Sequence, residues 1–144
     1  MKKTAIVNAN SFARYFPEYI TQLEERVGEV KRFKFDADIT AEDLAKELEG
    51  YSYLIVGTTP KFSEEFFAKC PSVEYIARFG IGYNNVDVLG AKKHDVIASN
   101  IPGSVEKEDV AEHALGLLMA LSKHIPDGFK AASNDEWNTE RGRF

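Results

Sequence analysis

Cysteine is nearly absent: Cys70 is the one cysteine in 144 residues. A lone cysteine makes no internal disulfide and closes no metal cage by itself. Histidine is sparse, with His94, His113 and His124, and no His/Cys/carboxylate set has metal-site spacing. Long apolar runs are missing too, with none approaching the ~18 residues that a membrane span requires. The start, Met-Lys-Lys-Thr-Ala-Ile-Val-Asn8, meets Asn8 after three apolar residues and so lacks a secretory core. There is no excess of basic charge. The net charge is −5, and the clusters Lys31-Arg32, Lys92-Lys93 and Arg141/Arg143 are small and scattered. That excludes nucleic acid as a general partner, because neutralising phosphates takes a basic face. What remains is 44% hydrophobic and 28% charged, the composition of a globular domain long enough to bury a core. The expectation is a soluble cytoplasmic domain with neither a membrane nor a nucleic-acid partner.

Along the chain, short apolar runs alternate with amphipathic stretches. Residues 4–9 (TAIVNA) are β-like. After Pro17 a helix is expected from Tyr19, Ile20, Leu23 and Val27, closed by Gly28. Residues 29–35 (EVKRFKF) alternate and predict an edge strand. Thr40-Ala-Glu-Asp43 resembles a capping box, with Asp where Glu or Gln is usual; Leu44, Ala45 and Leu48 are its buried stripe and Gly50 its end. Residues 53–56 (YLIV) form a continuous apolar run of the kind covered on both faces of a parallel sheet. Ser63-Glu-Glu opens another helix, its acids suiting the dipole, burying Phe66 and Phe67 and stopping at Pro71. Strands are expected at 74–78 and 95–99, with a short helix at 86–93 carrying Val86, Leu89 and Ala91 between them. Five strands alternating with helices predict an open, flavodoxin-like parallel sheet with helices on both faces.

After Ile101-Pro102-Gly103, one long helix is expected over 104–124. Its first half is charged. Its second half is apolar in almost every direction, from Val110 through Ala114, Leu115, Leu117, Leu118 and Met119 to Leu121. A helix apolar all round has to be covered all round. The tail from 127 to 144 is mostly polar, with Phe129, Trp137 and Phe144 as isolated anchors, and its end at Arg-Gly-Arg-Phe144 suggests a chain that has been cut.

The sharpest motif is Gly80-Ile-Gly82-Tyr-Asn-Asn85 between a strand and a helix. A dinucleotide fingerprint needs a third glycine where Asn85 stands, and belongs at the first strand rather than the fourth. Two other readings stay open. One is a tight turn using glycine's freedom at positive φ; the other is a backbone nest for a small anion such as a carboxylate. Asn8, Asn10 and Ser11 follow the first strand, and Thr58 and Thr59 the third. Both sets lie outside carboxyl ends, where open α/β sheets bind ligands. A phosphorylated receiver domain needs paired acids after the first strand and an aspartate after the third; neither is present. Asn-Ala-Asn-Ser-Phe-Ala-Arg14 is a poor flavin phosphate loop. His113 follows Glu112, but helix neighbours point about 100° apart and form no dyad. His124 sits near a helix end, which suits the dipole, and no serine occupies a nucleophile elbow.

Three blocks carry more than these motifs. Ile76-Ala-Arg-Phe-Gly-Ile-Gly-Tyr-Asn-Asn-Val-Asp87, Ala91-Lys-Lys-His-Asp-Val-Ile-Ala-Ser-Asn-Ile-Pro-Gly103 and Val110-Ala-Glu-His-Ala-Leu-Gly-Leu-Leu118 resemble, in order and spacing, the NAD-dependent D-isomer-specific 2-hydroxyacid dehydrogenases. The likeness is strong over about residues 53–125; earlier residues fit that family's substrate domain in pattern.

The resemblance implies hydride exchange between NAD and a D-2-hydroxy acid or 2-keto acid. In such enzymes the glycine loop holds the substrate carboxylate through main-chain N–H groups. Here those are Ile81 and Gly82, in a loop shaped by Gly80, with Thr58 and Thr59 beside the cleft. Residues 102–112 resemble the crossing toward the coenzyme domain, with Asp109 the position nearest the cofactor. The implied division is a substrate domain over 1–103 and an interdomain helix and arm over 104–144, the start of a truncated coenzyme domain, with a homodimer formed through residues 110–121. Asn84 stands where the family commonly has Asp. The family's Gly-rich coenzyme motif and its catalytic arginine, glutamate and histidine do not match Arg78, Glu112 or His113. The 144 residues alone are therefore expected to be inactive and to bind NAD poorly. The acid is left open among lactate, glycerate, phosphoglycerate and branched acids; Lys61 is the cation near the cleft for a phosphorylated one. The alternative is a non-catalytic module that binds a small carboxylate or serves dimerisation.

Overall fold

Parallel pairing requires each strand to return through a crossover, and the alternation of short strands with helices supplies one each time. In the computed structural model, which describes residues 2–136 and 138, the strands are β1 (Thr4–Val7), β2 (Val30–Phe33), β3 (Tyr53–Val56), β4 (Tyr75–Arg78) and β5 (Ile97–Asn100). Between them run α1 (Glu18–Val27), α2 (Ala41–Glu47), α3 (Glu64–Lys69) and α4 (Val88–Lys93). The sheet order is β2-β1-β3-β4-β5, with every pair parallel, so β2 is an edge strand as its weak alternation predicts. The register runs Val7, Val56, Arg78, Asn100 across the carboxyl ends of β1, β3, β4 and β5.

Alternation sorts the two faces. Ala5, Val7, Leu54, Val56 and Ile76 point to a core completed by Leu44, Leu48, Phe62, Phe66 and Phe67 from the α2, α3 and α4 side. Phe66 lies edge-on between Phe62 and Phe67, with ring centroids 5.1 and 5.3 Å apart. Thr40 caps α2 by accepting from the Asp43 N–H at 3.1 Å. The Asp43 carboxylate accepts from the Thr40 hydroxyl rather than reaching back to its N–H, a half box that fits aspartate's shorter reach. Asp87 caps α4 by accepting from the Gly90 N–H at 2.9 Å.

The other face carries α1, through Leu23 and Val27. One helix cannot cover five strands, so Tyr53, Ile55, Tyr75 and Ala77 are half-buried there and Ile97 is exposed. The two-sided burial expected for residues 53–56 is thus complete on the α2–α4 face and partial on this one. Two stripe assignments also shift. Tyr19 is half exposed on α1, and Leu89 points to solvent from α4.

The chain divides into two compact units, Met1–Pro102 and Gly103–Phe144. The second has a shorter form of the helix expected over 104–124 and a further helix after it. It has a 3-10 turn at Gly103–Val105, then α5 (Lys107–Ser122) and α6 (Ile125–Ser133). His124 takes a left-handed φ of 48°, and Pro126 follows in the first turn of α6, where a missing N–H costs nothing. The mostly polar stretch from 127 is therefore helical to Ser133. Val110, Leu115, Leu117, Leu118, Met119 and Leu121 are all exposed, as is Phe129, which is no anchor. Trp137 and Phe144 lie outside the described residues.

Candidate functional site

A cleft of about 480 Å³ opens at the carboxyl end of the sheet, lined by Thr58, Thr59 and Lys61 after β3, and by Arg78, Gly82, Asn84 and Asn85 at and after β4. Two of these side chains are cations and none is acidic. Among the described residues the histidines do not enter it, nor does any cluster of His, Cys, Asp or Glu fit for a metal ion.

The walls are fixed by side chains that bind main chain. Asn8 leaves β1 with a left-handed φ of 49°. Its Oδ1 accepts from the Phe35 N–H at 2.9 Å, while its Nδ2 donates to the Phe35 carbonyl at 2.9 Å and to the Thr59 hydroxyl at 3.1 Å. Asn8 thus ties together the loops after β1, β2 and β3. It is a strut rather than the ligand its position suggests. Asn10 and Ser11 stand outside the cleft lining. The chain passes so close to Asn8 that a Cβ at Gly57 would overlap the Asn8 carbonyl. Asn85 does similar work on the far side, donating through Nδ2 to the carbonyls of Gly57 and Pro60, each at 3.1 Å.

The Gly80–Gly82 loop has unequal glycines. Gly80 has φ +143°, and a Cβ there would overlap the Arg78 guanidinium, which donates to the Phe79 carbonyl. Gly80 is therefore required both by its backbone and by its neighbour. A Cβ at Gly82 would meet nothing within 4 Å. The Gly80 carbonyl accepts from the Ile101 N–H at 3.1 Å, and the Ile81 carbonyl from Asn100 Nδ2 at 2.7 Å. Among the described residues, the N–H groups of Ile81 and Gly82 have no partner. This arrangement does not fit a dinucleotide pyrophosphate. Asn85 fills the third-glycine position with a side chain committed to Gly57 and Pro60, and the helix that follows is the six-residue α4.

Of the residues that the sequence singles out for the substrate, Gly82, Thr58 and Thr59 meet in one cleft, with Ile81 and Gly80 in its rim loop. Asp109 belongs to the second unit, exposed in the first turn of α5. Arg78, which lines the cleft, and Asn100, which holds the Ile81 carbonyl, escape sequence reasoning. The available signal is that both end a strand, on the edge where such sheets bind ligands. Cys70 is remote from the cleft, buried with its thiol near the Leu48 carbonyl at 3.6 Å, and burial pushes the thiol above its usual range.

Known proteins share this sequence pattern and this architecture. A family model described as D-isomer specific 2-hydroxyacid dehydrogenase, catalytic domain, matches residues 6–143. A glyoxylate reductase of Pyrococcus furiosus is 27% identical over 124 residues, covering 86% of this chain and 37% of that protein. A D-3-phosphoglycerate dehydrogenase of Bacillus subtilis is 33% identical over 96 residues, covering 67% of this chain and 18% of that protein. The apo-structure of D-lactate dehydrogenase from Escherichia coli is similar with a TM-score of 0.70 at 27% identity, over 94% of this chain and 42% of that one. The chain thus spans less than half the length of each of these relatives.

Proposed function

The chain belongs to the D-isomer specific 2-hydroxyacid dehydrogenases, and from that premise we propose that its first unit binds the carboxylate of a D-2-hydroxy acid or 2-keto acid, in a protein that exchanges hydride between that acid and NAD. The observation that carries this reading is the open pair of N–H groups at Ile81 and Gly82, beside a cleft whose charged side chains, Lys61 and Arg78, are both cationic. Main-chain donors fixed before binding need little reorganisation when charge shifts during reaction. Their bonds to a carboxylate are charge-assisted, and so stronger than neutral ones. Holding the carboxylate fixes the adjacent C2 carbon, which is the orientation a transfer at that carbon needs. Thr58 and Thr59 complete the carboxylate's side of the cleft, with Gly80 shaping the loop.

NAD supplies the hydride acceptor or donor when bound. The loop after β4 does not fit its pyrophosphate, so the role of that loop stays with the acid. On the resemblance alone, Asp109 is the residue we place toward the coenzyme. By themselves the 144 residues hold NAD weakly and turn over no NADH. Self-association through residues 110–121 is part of the same reading, supported by the exposed apolar surface of α5, where Leu121 is 76% exposed. Burial of such surface contributes roughly 25 cal/mol per Å².

Calorimetric titration with pyruvate, glyoxylate and hydroxypyruvate tests the carboxylate site. Binding is expected with wild type and weakening with Gly82→Ala, which adds a methyl to a residue lining the cleft; no heat from any of the three acids overturns the reading. Absorbance of NADH with the same acids is expected to stay constant, and measurable turnover refutes the inactivity. Light scattering at tens of micromolar is expected to give a dimer, and a monomer refutes the α5 interface. A second reading, a module that holds a small carboxylate without chemistry, rests on the same cleft and the same open N–H pair. Turnover by the chain together with a family coenzyme domain separates the two.

A further inference from the structure

We propose that Asn100 is a positioning residue: by holding the Ile81 carbonyl on the β5 side, it aims the Gly82 N–H at the substrate's carboxylate. The inference rests on the carboxylate reading above and extends it to a residue outside the cleft lining.

The loop leaves β4, which lies between β3 and β5 in the sheet. Its successive carbonyls are all engaged: Phe79 by the Arg78 guanidinium, Gly80 by the Ile101 N–H, and Ile81 by the Asn100 side chain. In a planar trans peptide, the C=O and the following N–H point in opposite directions. A carbonyl drawn toward β5 therefore turns the N–H of the next residue away from β5. The Gly80 carbonyl, bound by Ile101 at 3.1 Å, sets the Ile81 N–H, and the Ile81 carbonyl, bound by Asn100 at 2.7 Å, sets the Gly82 N–H. On the flank opposite β5 lies β3, whose following residues Thr58 and Thr59 line the cleft together with Gly82. The two donors left without a partner among the described residues are the two that this polarisation turns toward the cleft.

Asn100 is suited to this task. It ends β5 in register with Arg78, so the sheet ladder rather than the loop fixes its position. It is exposed, and among the described residues its side chain has the Ile81 carbonyl as its partner. A residue with that placement contributes little to the core, and its amide N–H is the part that matters. Asn100→Asp keeps the shape but sets carboxylate oxygens against a carbonyl. Asn100→Gln keeps a donor on a longer arm.

The test is titration of the ¹⁵N-labelled chain with pyruvate, against sodium chloride at equal ionic strength, following the Ile81 and Gly82 amide resonances. In wild type both are expected to shift saturably. In Asn100→Asp the Gly82 response is expected to be lost and pyruvate affinity to fall ~10-fold or more, the scale of one charge-assisted hydrogen bond. In Asn100→Gln affinity is expected to return to within about three-fold of wild type, with the melting temperature of all three unchanged; a structural role would lower stability instead of splitting the variants by donor. Asn100→Ala, which also lacks the donor, replaces the aspartate variant if that one does not fold. Equal affinity and equal Gly82 shifts in wild type and in the donor-less variant overturn the positioning role while leaving the carboxylate site standing. Absence of saturable shifts in wild type overturns both.

Discussion

Replacing Gly80 by alanine should damage the fold through one neighbour, and removing that neighbour should relieve much of the damage. Gly80 has φ +143°, and a Cβ built there overlaps the Arg78 guanidinium. The backbone term for a non-glycine residue in so sparsely populated a region is of order 1–3 kcal/mol. The steric term displaces a guanidinium that donates to the Phe79 carbonyl, and a hydrogen bond to a charged group contributes roughly 1.5–3 kcal/mol. Gly80→Ala should therefore cost about 2.5–6 kcal/mol, and Arg78→Ala alone about 1.5–3 kcal/mol. In the Arg78→Ala background the steric term is absent, so Gly80→Ala should cost about 1–3 kcal/mol, giving a coupling of roughly 1.5–3 kcal/mol between the two sites. Urea denaturation of the four proteins measures this, provided the m value is constant across the cycle. Gly82→Ala is the control: its Cβ meets nothing within 4 Å, so stability should stay within about 0.5 kcal/mol. Additivity of Arg78→Ala and Gly80→Ala within about 0.5 kcal/mol would refute the reasoning, because independent sites add to that tolerance.

Asn8→Ala loses three side-chain hydrogen bonds and puts alanine at φ 49°, for about 3 kcal/mol from the bonds and about 1 kcal/mol from the backbone, about 4 kcal/mol in all; Asn8→Gly should cost about 1 kcal/mol less because glycine accepts that φ, and equal denaturation midpoints for the two would contradict the left-handed term. Burial raises the Cys70 thiol in the fold, so its contribution to stability is complete below the unfolded thiol's value of ~8.5 and falls as pH rises beyond it. Cys70→Ala should flatten that alkaline decline, and alkylation of native Cys70 at the rate of a free thiol would show the burial to be wrong. Lys46 and Lys69 hold the Glu42 carboxyl down to about 2; the lowered value means stabilisation present above the ordinary glutamate range and lost as pH falls from there through about 2. Glu42→Gln should remove that acid-side slope, as should high salt at this exposed cluster, and an unchanged slope in the variant would count against the pairing.

The fold was legible wherever the deciding interactions are local. Residues 53–56 read as a strand because the run is apolar and broken by Thr-Thr-Pro, and β3 spans those residues. The helix after Pro17 closes at Val27 because Gly28 follows, at φ 91°. The open five-stranded parallel sheet follows from counting strands and crossovers, and the edge position of β2 from its charged alternation. What failed depends on partners that periodicity does not name. Leu89 is apolar at a helical spacing, yet a six-residue helix presents few inward positions, and Gly90 and Ala91 take them. The end of the long helix near His124 was legible from the polar Ser122-Lys123-His124, but not the second helix beyond it, because residues 127–144 read as mostly polar.

The site shows the same division in sharper form. Gly80-Ile-Gly82 supports three readings as a pattern: a phosphate cradle, a simple turn, and an anion nest. Spacing cannot separate them, because what separates them is who binds each peptide group. Asn85, which removes the phosphate reading, is visible in the sequence as a missing glycine, but its positive task of joining Gly57 to Pro60 is not. The turn reading accounts for Gly80, whose φ and neighbour demand glycine, and fails for Gly82, which needs neither. The nest requires the carbonyls to be held elsewhere so that the N–H groups stay open. Those restraints come from Asn100 and Ile101, about twenty residues downstream and one strand across. A parallel sheet brings the ends of successive strands together, so a loop after one strand is polarised by the end of the next. The proposed anion site is therefore a property of two adjacent strand ends, and a motif taken from one of them carries half of it.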